Sequence, residues 1–430
     1  MAALPRKIFR PPAPHESLAA AVRRELPVLL VLSLLTLGME LAGWLRGFET
    51  YALDSLLLLN AREHPSQLMI VNIDDQDYRE LFGGASPIDP DRLAKVLDAI
   101  ERGKPRVIAV DLDTSAPQFA GRRWPQVVWA RDGYPYAEPK GESPPHVGHD
   151  AEVLRLPALG GGLREKKVGD RIETTPPSGL VLFPQDYDGV VRRYQRFFES
   201  EHGEPESELH GGVDSFPWAI AREYARASRA AGLEDCAECQ RVEELEKHPG
   251  HGELVLNFAG EHYRHTRLPA RFVLEGAAEE YWPESSPLRD AIVLVGGTYR
   301  AARDEYITPV GPRYGVELIA HAVDSELQGG GIRELNRWMA VLLDLLTGLA
   351  VIYINWRFPG RLAGGFTLAA IVLLSPLASW IAFRAIAFWF NFSAVLVGLW
   401  IHLLWEQSQE RRHLRAELEK YKAREGMAAI

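Results

Sequence analysis

Cysteine is almost absent from this chain: Cys236 and Cys239 are the only two among 430 residues. A network of disulfides therefore cannot carry the fold, and stability has to come from apolar burial, for which the length is ample. Also missing are GxGxxG, the P-loop, HExxH and GxSxG. Without them there is no local signal for dinucleotide binding, phosphate cradling, zinc-dependent hydrolysis or a serine nucleophile. No fixed-period repeat and no low-complexity tract interrupts the sequence. Basic residues are in deficit as well. Residues 46–337 hold 34 basic and 49 acidic side chains, a formal −15, which argues against nucleic acid or other anionic polymers as partners.

Long apolar runs are confined to two places. Leu26 to Leu45 is 20 residues of nearly uncharged chain, and Trp338 to Trp405 is apolar over most of its length. About 20 apolar residues cross the hydrocarbon core of a bilayer. The expectation is four spans, at 26–45, 338–356, 362–381 and 386–405, the last two separated near Arg384. Trp44, Trp338, Trp356 and Trp405 fall near the expected ends, where interfacial aromatics belong. Residues 1–25 carry Arg6, Lys7, Arg10, Arg23 and Arg24, the loop after the second span carries Arg357 and Arg361, and the tail carries Arg411, Arg412, Arg415, Lys420, Lys422 and Arg424. The positive-inside rule places these pieces in the cytoplasm and residues 46–337 outside, in a multi-pass protein of a bacterial inner membrane. A cleaved signal peptide is the competing reading of the first run, disfavoured by its long leading segment and the absence of a small-x-small site before Trp44. Asp344 and Glu40 are ionisable groups in or near spans, either functional or interhelical partners.

Between the membrane regions the pattern is mixed α/β. Leu68–Ile73 and Val107–Asp111 read as buried strands, joined by an amphipathic helix from Pro90 to Ile100, and the three suggest a βαβ unit with parallel pairing. Residues 115–175 read as a long surface region with short elements such as Gln126–Ala130. Gly179–Phe183, Val190–Phe198 and Leu254–Phe258 read as strands and Phe216–Ala231 as a helix. Ile292–Val295 is an apolar strand, Gly296-Gly297-Thr298 a breaker, Asp304–Arg313 an open polar loop, and Gly315–Leu327 a helix with Ile319, Ala322, Val323 and Leu327 on one face.

Ligands of a parallel sheet bind at the carboxyl ends of its strands. That rule singles out Asp74, Asp75, Asp111, Asp113 and Asp304, with Thr298 and Arg300 in the same edge loop. These carboxylates suit a hard cation, a polyol or an amine. They equally suit helix and turn caps. Arg192 and Arg193 alternate in direction, so one at most points inward, as an ion-pair partner more readily than as an anion site. Val110-Asp111-Leu112-Asp113-Thr114 matches the aspartate nucleophile pattern of haloacid-dehalogenase phosphatases, but it lacks ordered lysine and acidic partners and arises easily by chance. Cys236 and Cys239, with His248 and His251 downstream, allow a disulfide, a zinc site or free thiols, and an outside location favours the disulfide. No metal, cofactor or catalysis is expected.

Several separated pieces, in order, resemble the type-2 CHASE family: Ile73-Asp74-Asp75, Ala109-Val110-Asp111, Asp188-Gly189-Val190-Val191-Arg192-Arg193, Phe216-Pro217-Trp218-Ala219, Val293-Leu294-Val295-Gly296 with Asp304 and Thr308-Pro309, then Gly315-Val316-Glu317 and His321. The resemblance spans about residues 45 to 405. It implies an extracytoplasmic sensing domain of the kind associated with bacterial cyclases and histidine kinases. The 25 residues after the last span leave no room for such an output domain, so the expected function is sensing without catalysis. The signal would pass to a separate cytoplasmic protein through the tail, where Leu414, Leu418 and Tyr421 form a stripe. A homodimer and an unidentified small extracellular ligand complete the expectation. The alternatives are an assembly subunit contacting other envelope proteins, and a truncated cyclase or kinase sensor.

Overall fold

The computed structural model describes residues 17–59, 67–114, 127–131, 134–135, 154–155, 164–168, 171–175, 177–202, 209–233, 235–247, 252–258, 265–357, 361–392, 395–401, 408, 415–416 and 418–419. They fall into two compact units, Leu57–Arg333 and the two flanking segments together.

The first unit is built on a six-stranded sheet. In chain order its strands are β1 (Leu68–Ile73), β2 (Val107–Asp111), β3 (Val127–Arg131), β4 (Ser178–Leu180), β5 (Thr266–Pro269) and β6 (Ile292–Gly297). Their spatial order is β5-β1-β6-β2-β3-β4, and every neighbouring pair is parallel. Continuous apolar runs are what a sheet covered on both faces requires. One face is covered by α3 (Pro90–Arg102) and α6 (Ala270–Ala277), packed on Val71, Ile73, Ile108, Val110, Val293 and Val295. The other carries α4 (Phe216–Ala230), α5 (Ala237–Lys247) and α7 (Gly315–Leu327), packed on Ile70, Ala109, Val128, Ile292 and Leu294. The alternation of partners along each strand follows from the two-residue period of the side chains.

Local signals set the helix starts. Asp89 accepts the Asp91 N–H ahead of Pro90, and Ser215 caps the Phe216-Pro217 start of α4. Proline at the first turn costs nothing there, because its missing N–H has no intrahelical partner. Both Trp218 and Ile220 are buried. α7 is buried at all thirteen positions, more than the single apolar face its spacing predicts.

Three sequence expectations change. β1 and β2 are parallel members of one sheet but not neighbours, since β6 lies between them and bonds to both. Gln126–Ala130 is no surface element: Val127–Arg131 is β3, with Val127, Val128 and Trp129 buried inside the sheet. The expected strand Val190–Phe198 divides into Arg193–Gln195, paired antiparallel with Glu253–Val255, and Phe197–His202, which joins a second six-stranded sheet. That sheet also holds Tyr134–Pro135, Leu154–Arg155, Arg164–Val168, Arg171–Thr175 and Leu209–Asp214.

In the second unit, α1 (Leu18–Leu41) ends in a turn at 42–45, where Gly43 has φ +74°, and α2 (Arg46–Leu58) leaves at 80° to it. The first apolar helix thus stops four residues before the expected Leu45. α8 (Arg337–Arg357) is one helix over the residues of the expected second span, 338–356. α9 (Arg361–Ile386) runs through the expected break: Arg384 sits in its last turn, where a cation complements the helix C-terminus, and the chain turns at Ala387, φ +49°. Of the expected last span, 395–401 is helical and 402–405 lies outside the described residues. Among the described residues, Ala369–Ile386 alone is long and apolar enough to cross a membrane, the bent α1–α2 pair passes only when taken together, and Trp338–Ile354 is a shorter apolar helix. Asp344 on α8 accepts a hydrogen bond from Ser33 on α1 at 2.6 Å, and Gly348 admits Leu29 where any Cβ would collide with it.

Candidate functional site at the carboxyl edge of the sheet

The register aligns the ends of three strands. Asn72, Gly296 and Asp111 are level across β1, β6 and β2, and Ile73 is level with Gly297. Asp74 and Asp75 therefore leave β1 beside the Gly296-Gly297-Thr298 end of β6, with Asp111 ending β2 and Asp113 just beyond it on the other side. Thr298 is tied back by its N–H to the Ile73 carbonyl at 2.9 Å, and its Oγ1 accepts from Asn72 Nδ2 at 3.2 Å. Glycine at 296 is a packing necessity: a Cβ there would lie 2.6 Å from Val316 Cγ2 in the first turn of α7.

Asp304 completes this edge. Its carbonyl accepts the Gly315 N–H at 3.0 Å, and its carboxylate occupies the space a Cβ on Gly315 would need. A carboxylate at a helix N-terminus is favoured by the orphan N–H groups and the dipole. Burial nevertheless pushes this carboxyl above the usual aspartate range, against the opposing bonds from Tyr306 and the Gly315 N–H. Tyr299 stacks on Tyr78 with centroids 4.1 Å apart and planes 1° from parallel. Burial raises the Tyr299 phenol, and Tyr78, Asp113 and Asp304 add to that shift.

The remaining expected residues have definite places. Asp75 accepts the Arg300 N–H at 2.9 Å. Asp74 caps the short helix Asp75–Glu80 by accepting from the Gln76 and Asp77 N–H groups, and it binds Arg271 at 2.8 Å. Burial pushes the Asp74 carboxyl up, but the Asp77 N–H, Arg271 and the Gln76 N–H outweigh it, leaving it below 3.8. Arg192 pairs with the acids of its own turn. Its guanidinium is 2% exposed and held by Asp186 at 2.8 Å and by both oxygens of Asp188 at 2.9 Å, while Arg193 also pairs with Asp186. Its segment meets the edge loop through backbone, Val191 N–H to the Ile307 carbonyl at 2.9 Å. Cys236 and Cys239 form a disulfide. His248 and His251 lie outside the described residues.

Sequence reasoning missed Asp77 and Arg271. Asp77 is fully buried, accepts the Ala270 N–H at 2.8 Å and bonds Arg271 at 3.0 Å. Burial raises its carboxyl against the pull of Arg271. The usable signal was the Asp74-x-x-Asp77 spacing of a first helical turn directly after a strand. Tyr78 and Tyr299 were missed too, and nothing local marks them as partners. Among the described residues no group of three or more His, Cys, Asp or Glu side chains is arranged to hold a metal ion. The edge is rich in hydrogen-bond acceptors, so it suits a ligand that brings donors.

No curated protein and no solved structure matches the chain significantly. The CHASE2 domain matches residues 28–354, which is 327 of the 430. The chain belongs to the CHASE2 domain family.

Proposed function

We propose that this protein is a membrane-anchored sensor whose outer domain takes a small donor-bearing ligand at the carboxyl edge and relays its state to a separate cytoplasmic protein, without catalysis of its own. CHASE2 domains are extracytoplasmic sensor domains. The observation that carries the reading is the position of α7. Its first turn packs on the strand end at Gly296 and against Asp304 of the edge loop, and in sequence it leads through residues 328–336 into the apolar α8. A ligand that moved the edge loop would act on the element nearest the membrane in the chain. Four spans with both termini in the cytoplasm, and a homodimer in which two such levers work against each other, belong to the same proposal. A shift of an ångström or two is enough to bias a bistable helix pair.

The test is to purify the detergent-solubilised protein with and without residues 407–430 and identify what accompanies it. A cytoplasmic regulator lost with the tail supports the relay. Envelope proteins that remain after tail removal would replace it with an assembly role.

A further inference from the structure

α1 turns its apolar side chains outward: Leu30, Val31, Leu34, Leu35 and Leu41 are all exposed. At its end the chain bends by 80° into α2, through a turn in which Gly43 has φ +74°. Membrane spans tilt by about 20° on average from the bilayer normal. A helix set at 80° to such a span therefore runs close to the membrane plane, at the level where the span ends.

α2 has two apolar faces. Ala52, Leu53, Leu56 and Leu57 are buried. The opposite side carries Phe48, Tyr51 and Leu58 at i, i+3 and i+10, all exposed, and Trp44 of the turn extends the row by four residues. Positions at this spacing share one helix face. Trp44 is 76% exposed and Tyr51 72%. Single exposed apolar side chains are ordinary, but an aromatic row along one face marks a surface that something covers.

The cover that fits is the bilayer interface. The row continues the exposed surface of α1 round the bend through Leu41-Ala42-Gly43-Trp44-Leu45, with no polar residue between. Tryptophan and tyrosine, with an apolar body and a polar tip, collect at headgroup level. Arg46, exposed at the first position of α2, places a cation at the same level. Phe48 meets Phe392 edge to face at 6.3 Å, just ahead of the apolar helix 395–401. The start of α2 thus lies beside the end of a second apolar helix.

We propose that α2 is an interfacial helix, lying in the outer headgroup layer with Trp44, Phe48, Tyr51 and Leu58 turned into the lipid. The proposal rests on the reading of α1 as a span and goes beyond it. The chain enters the outer domain along the membrane surface rather than on a stalk, so lipid packing acts directly on the segment that leads to β1.

The experiment places single cysteines at Leu34, Phe48, Tyr51, Ser55 and Leu58 of the full chain, with Cys236 and Cys239 changed to serine. Each carries a nitroxide in phosphatidylcholine nanodiscs, and collision with oxygen and with a water-soluble nickel chelate gives its depth. Positions 48, 51, 55 and 58 should share one depth, about 5–10 Å below the headgroups, with position 34 far deeper. A stalk would instead rise into water by about 15 Å from 48 to 58, and a re-entrant half-span would sink by as much; either trend overturns the proposal. Low collision with both reagents together with nitroxide–nitroxide broadening would put a second copy on this face, and also overturns it. Should a labelled variant not fold, the unmodified chain is irradiated with a lipid bearing a diazirine near its glycerol, and adducts within 44–58 are expected; their absence counts against the helix. Position 34 in water would remove the span itself, whereas position 34 in lipid with 48–58 in water would remove only the interfacial helix.

Discussion

The Asp304 carboxylate fills the space that a side chain on Gly315 would occupy. The edge loop and the first turn of α7 are therefore fitted to one another, and neither can move alone. Gly315→Ala is predicted to destabilise the domain by about 1–3 kcal/mol, the usual cost of overpacking. Asp304→Ala in the same chain should recover part of the loss, a non-additivity expected of residues in contact. Urea unfolding of the two single variants and the double variant measures it, and strictly additive effects would contradict the contact.

Arg192 is a structural cation. Arg192→Ala leaves the buried Asp186 with Arg193 alone and deprives Asp188 of its bidentate partner, at an expected cost of about 3–5 kcal/mol. Ligand affinity at the carboxyl edge should change far less than stability. A variant of normal stability would show that the pairing does not hold the turn.

Acid sensitivity has a window at low pH, set by Asp188. The hydrogen bonds from Arg192 hold the Asp188 carboxyl below 3.8, with burial opposing. A depressed carboxylate contributes stability that is present above the ordinary value and lost as pH falls through the lower, folded one. Urea midpoints should therefore drop below about pH 4, and Asp188→Asn, already weaker at neutral pH, should drop less steeply. An unchanged slope would remove Asp188 from the account.

Ser33 and Asp344 join α1 to α8 through one hydrogen bond of 2.6 Å. They line a cavity of about 60 Å³ shared with Glu25, Thr347 and Gly398. Polar contacts between apolar helices contribute about 0.6–2 kcal/mol. Ser33→Ala and Asp344→Leu should each weaken the α1–α8 pairing by that order, and the double variant by little more than either single one. Thermal unfolding in detergent, together with disulfide cross-linking of cysteines placed on the two helices, reads the effect. Additive losses would mean the bond contributes nothing of its own.

The strands that were legible are those whose apolar runs announce themselves. β1, β2 and β6 need no context, and α3 carries both its cap and its apolar stripe. β3 was obscured because Val127-Val128-Trp129 sits in a stretch dense with glycine, proline and charge. β5 is four residues ending in proline at a sheet edge, too short for any period to register. The insertion of β6 between β1 and β2 could not be read at all, since strand order depends on packing between segments nearly two hundred residues apart. The site divides the same way. The place of Asp74, Asp75, Thr298 and Asp304 at the sheet edge was legible because each follows or faces a strand end. Arg192 has partners four and six residues upstream, inside the turn signal Asp186–Gly189, and Arg193 reaches the same Asp186 against the expected alternation. Asp77 with Arg271, Tyr78 with Tyr299 and His265 with Asp324 are pairings between distant segments that only the folded sheet brings together.

The central claim is that residues 46–337 face outward while the tail faces the cytoplasm. Cysteines are introduced singly at the exposed Arg300 and at Arg415, with Cys236 and Cys239 replaced by serine, and a membrane-impermeant maleimide is applied to intact and to permeabilised cells. The account predicts labelling at position 300 in intact cells, and at position 415 only after permeabilisation. Labelling of both positions in intact cells, or of neither, would contradict it.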